Sequence, residues 1–358
     1  MSAGSIAVTA AALAVGATFL VSRQTASFRT RLIPVNEERV VIIGASSGIG
    51  KEIARIYASR HAHLVLVARR KQLLDTLISD ELHTTAGSVH AIQADITNHD
   101  DVQRLTRESL TVLRGGVDTL IICAGVISVL PFEQLAGIDS TAPAAAPSTI
   151  APTVATIATT TTTSPSSSSS TTTTLQEQID QLLPKSAMAA VAASRAIMEI
   201  NYHAPLNLAS HFLLALKQSS RAGNIIVVSS MAGKVGAPTR SIYCGSKHAA
   251  QGFFEALGLE VERAGVHVGI VSPGTVDTDL RLSAVDLPKE DQDVNMAVAA
   301  GTKKGAISAR ICAEGIIDCS DERKSEVLLP WFYNVSLYLE LLSPRLVRYL
   351  AKKKYGFL

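Results

Sequence analysis

From residue 39 onward the chain alternates short, nearly all-apolar runs with longer stretches in which apolar residues recur every three to four positions. The short runs, residues 39–44, 63–68, 89–93, 119–123, 224–229, 266–271 and 326–329, predict strands. The longer ones, residues 49–59, 71–84, 100–113, 187–216, 243–262 and 306–319, predict helices. The strands are apolar throughout rather than alternating, as expected when both faces of a sheet are covered. Strands alternating with helices argue for a doubly wound α/β fold, with about seven parallel strands in a single domain over residues 33–330.

Three segments depart from this pattern. Residues 1–22 carry no side-chain charge, and residues 6–21 are almost wholly apolar, though many are alanine. About twenty helical residues span the roughly 30 Å of a bilayer's hydrocarbon core. Residues 1–32 therefore read as a single-pass membrane anchor with a basic flank of Arg23, Arg29 and Arg31. A cleaved signal peptide competes with this reading, but the basic n-region it requires is missing. The flank places the rest of the chain in the cytosol, whereas occupancy of the sequon Asn334-Val335-Ser336 would argue for the opposite orientation.

Residues 136–174 are dominated by Ser, Thr, Ala and Pro. Such a stretch buries too little apolar area to offset its ordering entropy and reads as a disordered insertion. A glycosylated stalk or a phosphorylated loop is the alternative. Residues 331–358 combine Trp331, Phe332, Tyr333, Leu337, Tyr338 and Leu341 with Arg345, Arg348 and a lysine run from Lys352 to Lys354. This composition suits an amphipathic helix lying on a membrane and, equally, a helix packed over a substrate cleft.

Apolar residues make up 47% of the chain, enough for a sizeable core. A net charge of +2, without a basic stripe interleaved with aromatics, argues against a nucleic-acid partner. The four cysteines form no C-x-x-C pair and read as buried free thiols. The nine histidines are scattered, so no metal site is predicted.

Candidate chemistry sits where strands end. Gly44-Ala45-Ser46-Ser47-Gly48-Ile49-Gly50 joins the first strand to the first helix. Its glycines permit a sharp turn, close approach of a pyrophosphate and tight helix–strand packing, and the helix N-terminus offers unpaired N–H groups to phosphate. The second strand ends in Ala68-Arg69-Arg70, with no carboxylate to accept a bond from a ribose 2′-hydroxyl. Guanidiniums there suit a 2′-phosphate, so NADP(H) is the expected cofactor; two solvated basic residues are the plainer alternative. Tyr243 and Lys247 lie one helical turn apart, and an ammonium beside a phenol would lower its pKa. Ser230 ends the fifth strand, and Asn201 falls within the long preceding helix.

Together, Gly44-x-x-x-Gly48-x-Gly50, Asp95, Cys123-Ala124-Gly125, Asn201, Ser230, Tyr243-x-x-x-Lys247 and Pro273-Gly274 resemble the short-chain dehydrogenase/reductase family in order and spacing over about residues 39–285. The resemblance implies a Rossmann-type fold and a catalytic tetrad. Tyr243 would be the general acid/base, and Lys247 would hold the nicotinamide ribose and lower the tyrosine pKa. Ser230 would polarise the substrate carbonyl, and Asn201 would hold a proton-relay water. Asp95 and the adjoining Ile96 would lie at the adenine. Cys123, Ala124 and Gly125 would border the cofactor, with Pro273, Gly274, Val276 and Thr278 on its nicotinamide side. The anchor, Ala68-Arg69 and the run from Arg240 to Ala249 are similar to the membrane-bound 11β-hydroxysteroid dehydrogenase-like subgroup, particularly its dehydrogenase/reductase member 7 branch. That subgroup implies lipophilic carbonyl substrates such as steroids and retinoids, an endoplasmic-reticulum membrane and a homodimer. Ile43 and Ile122-Cys123 depart from the family's usual Thr and Asn-Asn, which would loosen cofactor binding. A catalytically silent NADP(H)-binding scaffold and a 3-ketoacyl or ketosphinganine reductase are the competing functions.

Overall fold

The computed structural model describes residues 29–138, 186–286 and 305–357. The apolar stretch assigned to an anchor and nearly all of the Ser/Thr-rich stretch lie outside the described residues. Among the described residues, no helix is long and apolar enough to cross a membrane.

Strand β1 (Arg39–Ile43) leads into α1 (Gly48–Ser59), β2 (His63–Ala68), α2 (Lys71–Leu77), β3 (Ser88–Gln93), α3 (His99–Val112) and β4 (Thr119–Ile122). A short α4 (Phe132–Leu135) precedes α5 (Ala187–Met198), a π-helical turn (Glu199–His203) and α6 (Ala204–Ser219). The chain continues through β5 (Asn224–Val228), α7 (Ser241–Val261), β6 (His267–Pro273), β7 (Val276–Asp277), β8 (Ile307–Ser308), α8 (Ala309–Asp321) and β9 (Glu326–Leu329). It closes with α9 (Tyr333–Leu342) and α10 (Pro344–Tyr355).

Seven strands form one all-parallel sheet in the order β3-β2-β1-β4-β5-β6-β9. Successive residues of a strand face opposite sides, and β1 shows how both sides are filled. Val40 and Ile42 pack with α1, α2 and α8, while Val41 and Ile43 pack with α3, α6 and α7. This is why the strands read as unbroken apolar runs. Capping sets some helix starts: the Asn98 side chain accepts from the Asp101 N–H, and the Ser308 hydroxyl from the Ile311 N–H. The chain winds outward from β1 to β3 and then crosses back to β4. A crevice opens at such a reversal, outside the carboxyl ends of the strands.

Three expectations are corrected here. Arg29, read as part of a basic membrane flank, is buried at the amino ends of the central strands, away from the crevice. It donates to Glu38 Oε1 at 2.7 Å and to Thr119 Oγ1 at 2.6 Å, tying the starts of β1 and β4 together. A buried guanidinium is tolerated because its donors are met by a carboxylate and a hydroxyl. The helix expected over residues 187–216 is interrupted by the π-helical turn that contains Asn201. Pro205, four residues beyond Asn201, has no N–H for an α-helical bond to the Asn201 carbonyl, which accounts for the break. The C-terminal tail is two helices, divided at Ser343-Pro344, because a proline opens a helix far better than it continues one.

Candidate active site

One wall of the crevice is built from backbone. Gly44 takes a φ of +89°, and a side chain there would bring its Cβ within 2.8 Å of the Ala124 nitrogen. At Gly50 a Cβ would lie 2.2 Å from the Gly44 carbonyl oxygen, so the turn and the first helical residues close on each other with no room to spare. Ser47 precedes α1 without a side-chain cap, leaving the first-turn N–H groups for an anion. Arg70 reaches over this loop to the hydroxyls of Ser46, at 3.4 Å, and Ser47, at 3.5 Å. Beyond β3, Asp95 accepts from the Thr97 N–H at 3.0 Å and from the Thr97 hydroxyl at 2.8 Å.

The loop from Gly44 to Gly50, together with Arg69, Arg70, Asp95, Ile96, Cys123, Ala124, Gly125, Pro273, Gly274, Val276 and Thr278, borders one cavity of about 810 Å³. The glycine cradle, the uncapped helix start and the two arginines fit a dinucleotide with an additional phosphate. Cys123 stands in this wall as a thiol whose pKa burial raises, so it remains protonated and neutral.

Ser230, Tyr243 and Lys247 meet on the same cavity. Ser230 follows β5, and its hydroxyl accepts from the Ala232 N–H at 3.1 Å. Tyr243 and Lys247 are each 6% exposed, and the Lys247 ammonium donates to the Val228 carbonyl at 3.1 Å. The ammonium lies 5.9 Å from the centre of the Tyr243 ring. Burial drives the two groups in opposite directions. It holds the Lys247 pKa down at about 8 and raises that of Tyr243 to about 12. The expected lowering of the phenol by Lys247 is not realised, because Lys247 is not among the groups that shift the Tyr243 pKa. What opposes burial is a hydrogen bond from the Ser230 hydroxyl and the positive charge of Arg240.

Asn201 is buried next to this corner, and its side chain is used structurally. Its Oδ1 accepts from the Val126 N–H at 2.9 Å, and its Nδ2 donates to the Val126 carbonyl at 2.9 Å and to Ser246 Oγ at 3.0 Å. The amide thereby ties the segment after β4 to α7. A Cβ on Gly125 would stand 3.2 Å from the Asn201 Oδ1 and 3.6 Å from the Lys247 Nζ, so Gly125 keeps this junction compact.

The opposite wall comes from residues that sequence reasoning did not assign to the site. Arg240 and Arg281 line it, and the tail closes it through Tyr333, Val347, Ala351 and Tyr355. The Tyr333 ring fills the space over Gly274, where a Cβ would meet it at 2.4 Å. Of the two readings of the tail, packing over the cleft is the one realised on its inner face. Its outer face remains apolar, with Trp331 73%, Leu341 81% and Leu342 82% exposed. The signal for this wall was the mixture of aromatic and basic residues in the tail, which composition alone could not orient.

The model of the short chain dehydrogenase family matches residues 38–142 and 179–287, and the break between the two blocks falls in the Ser/Thr-rich stretch. The dehydrogenase/reductase SDR family member 7B of Mus musculus is 28% identical over 311 residues, covering 86% of this chain and 78% of the relative. The 11-beta-hydroxysteroid dehydrogenase 1A of Arabidopsis thaliana is 26% identical over 319 residues, covering 88% of this chain and 75% of the relative. A solved short chain dehydrogenase/reductase of Burkholderia phymatum in complex with NAD superposes with a TM-score of 0.63 at 18% identity, over 87% of this chain and 95% of that one. A Burkholderia cenocepacia short chain dehydrogenase in complex with NADP gives 0.59 at 19% identity, over 88% of this chain and 98% of that one. Both structural likenesses concern the fold.

Proposed function

Because this chain belongs to the short-chain dehydrogenase family, we propose that it interconverts a lipophilic ketone or aldehyde and its alcohol, with NADP(H) as the hydride carrier. The observation that carries this reading is the convergence of Ser230, Tyr243 and Lys247 on the cavity that the glycine loop also borders. The bound nicotinamide would donate or accept the hydride. In the reducing direction the Tyr243 hydroxyl gives its proton to the carbonyl oxygen, and the Ser230 hydroxyl holds that oxygen in place. A phenol raised to about 12 keeps its proton at neutral pH, as a proton donor must. Lys247 supplies positive charge beside the phenol and the ribose site. The side chain of Asn201 is fully engaged, which leaves its main-chain carbonyl to hold a relay water.

Arg69 and Arg70 carry the preference for NADP(H) over NAD(H), through charge-assisted bonds to a 2′-phosphate. The enzyme works at a membrane surface. The uncharged apolar stretch of residues 1–22 and the apolar outer face of α9 support this, since lipophilic carbonyls partition into bilayers. The test is the oxidation of NADPH and of NADH by the full-length protein with a panel of lipophilic ketones and aldehydes. Turnover with NADPH is expected, falling about tenfold in Arg69→Ala as one charge-assisted contact is lost. Failure to oxidise NADPH with any carbonyl, by protein that binds it, would reject the reading.

A further inference from the structure

Part of the apolar wall at the substrate end is a turn that the core does not fix. The 3₁₀ turn Asp279–Ser283 carries Leu280 and Leu282 onto the cavity, and none of its residues is buried. Inside the turn the Ser283 hydroxyl donates to the Leu280 carbonyl at 2.7 Å, and the Ala284 N–H donates to the Arg281 carbonyl at 3.2 Å. These bonds brace it internally, so its two ends do much to place it. At one end β7 pairs with β8, setting Val276 beside Ile307. At the other the chain returns to the loop after β4. There the Val285 N–H donates to the Ile127 carbonyl at 2.9 Å, and Ala284 forms a parallel bridge with Ile127.

Asp286 turns that return into a clasp. Its Oδ2 accepts from the Ser128 hydroxyl, the Val129 N–H and the Leu130 N–H, each at 2.8 Å, and its Oδ1 accepts from the Val129 N–H at 3.1 Å. The donors belong to a buried loop, with Ser128 1% and Val129 8% exposed. Bonds from N–H groups to a carboxylate are charge-assisted, and losing the carboxylate leaves buried donors unmet, which costs more than the bonds themselves contribute. The same loop leads to the catalytic corner. The Ser128 carbonyl accepts from the guanidinium of Arg240, three residues before Tyr243, at 2.7 Å. Val126, Ile127 and Val129 share an apolar cluster with Tyr243, and Ala284 and Val285 pack against it. One carboxylate thus sets the Leu280–Leu282 turn in register with the phenol, although Asp286 itself is not on the cavity wall.

We propose that Asp286 is a positioning residue that sets substrate selectivity. Its clasp on residues 128–130 fixes how the Leu280–Leu282 turn stands to Tyr243, and so favours long apolar carbonyl compounds over short ones. This deepens the oxidoreductase reading of the same site and rests on it. The experiment compares 2-nonanone with 2-butanone in the full-length protein. With NADPH, kcat/KM is expected to favour 2-nonanone, whose longer chain reaches the two leucines. In Asp286→Ala that preference should fall about tenfold, chiefly through the KM for 2-nonanone, with the NADPH Kd within about twofold. Asp286→Asn keeps an acceptor oxygen without the charge; it should lose about threefold, and it carries the test if Asp286→Ala does not fold. A merely structural role would lower kcat for both ketones, or the affinity for NADPH, and leave the preference where it was. That result would overturn the proposal. The same preference is read without turnover by calorimetric titration of each ketone with NADP⁺ present. A preference lost from binding in the variants, with neither ketone reduced by any of the proteins, would uphold the clasp and reject the oxidoreductase reading. A preference unchanged in both variants, with both ketones reduced, would do the reverse.

Discussion

Along one wall of the cavity, three glycines and a helix start present backbone to a ligand. Along the other, side chains from the start of α7, from the segment after β6 and from α9 and α10 present guanidiniums, a phenol and methyl groups. The first wall belongs to a sheet whose strands are fixed by hydrogen bonds and by apolar packing on both faces. The second is held by a few contacts such as Tyr333 over Gly274, and its helices have no buried residues. The difference teaches where tolerance lies. The backbone wall admits no added atom, whereas the side-chain wall can be repacked with the fold intact.

The largest effect is expected on the backbone wall. Gly50→Ala places a Cβ 2.2 Å from the Gly44 carbonyl oxygen. Forcing the two apart should cost about 3 kcal/mol, equivalent to roughly 100-fold in NADPH affinity or to a clear fall in melting temperature. Cofactor titration and thermal unfolding would read this, and unchanged values in both would break the contrast. On the other wall, Ala351→Phe narrows the substrate end while α10 stays at the surface. KM for a bulky carbonyl should rise about tenfold with the NADPH Kd unchanged to within about twofold. Equal changes in the two constants would show that the walls are not independent.

A smaller effect sharpens the contrast at the corner between the walls. Desolvation lowers the Lys247 pKa to about 8 in the cofactor-free protein, so the group is charged below that pH and neutral above it. An anionic cofactor is favoured by the charged form. The kcat/KM for NADPH should therefore be level on the acid side and decline as pH rises through about 8. The decline should reach about tenfold between pH 7 and pH 9, following the charged fraction of a group titrating near 8, and Lys247→Met should remove it. A profile that rises through this range would contradict the assignment.

Legibility in the sequence follows the same division. The centre of the sheet was readable because its strands are buried on both faces and therefore almost wholly apolar, as Val40 to Ile43 show. The backbone wall was readable because its residues are neighbours in sequence, from Gly44 to Gly50. The side-chain wall gathers Arg240, Arg281, Val347 and Ala351 from segments far apart in the chain. Their meeting is decided by tertiary packing that leaves no local pattern. Arg29 misled because a buried guanidinium and a membrane-flanking one look alike until a partner such as Glu38 is found. The break at Asn201 had a local cause in Pro205, although the apolar periodicity runs straight through it. The raised Tyr243 pKa depends on how completely the phenol is desolvated, which spacing to Lys247 does not report.

The most direct measurement compares carbonyl reduction and NADPH binding in full-length Tyr243→Phe and the unaltered protein. A phenol that donates the proton predicts a loss of turnover of about 10³-fold, with the NADPH Kd within about twofold. Turnover within about threefold of the unaltered protein would show that the proton comes from another group, and the assignment of Tyr243 would fall.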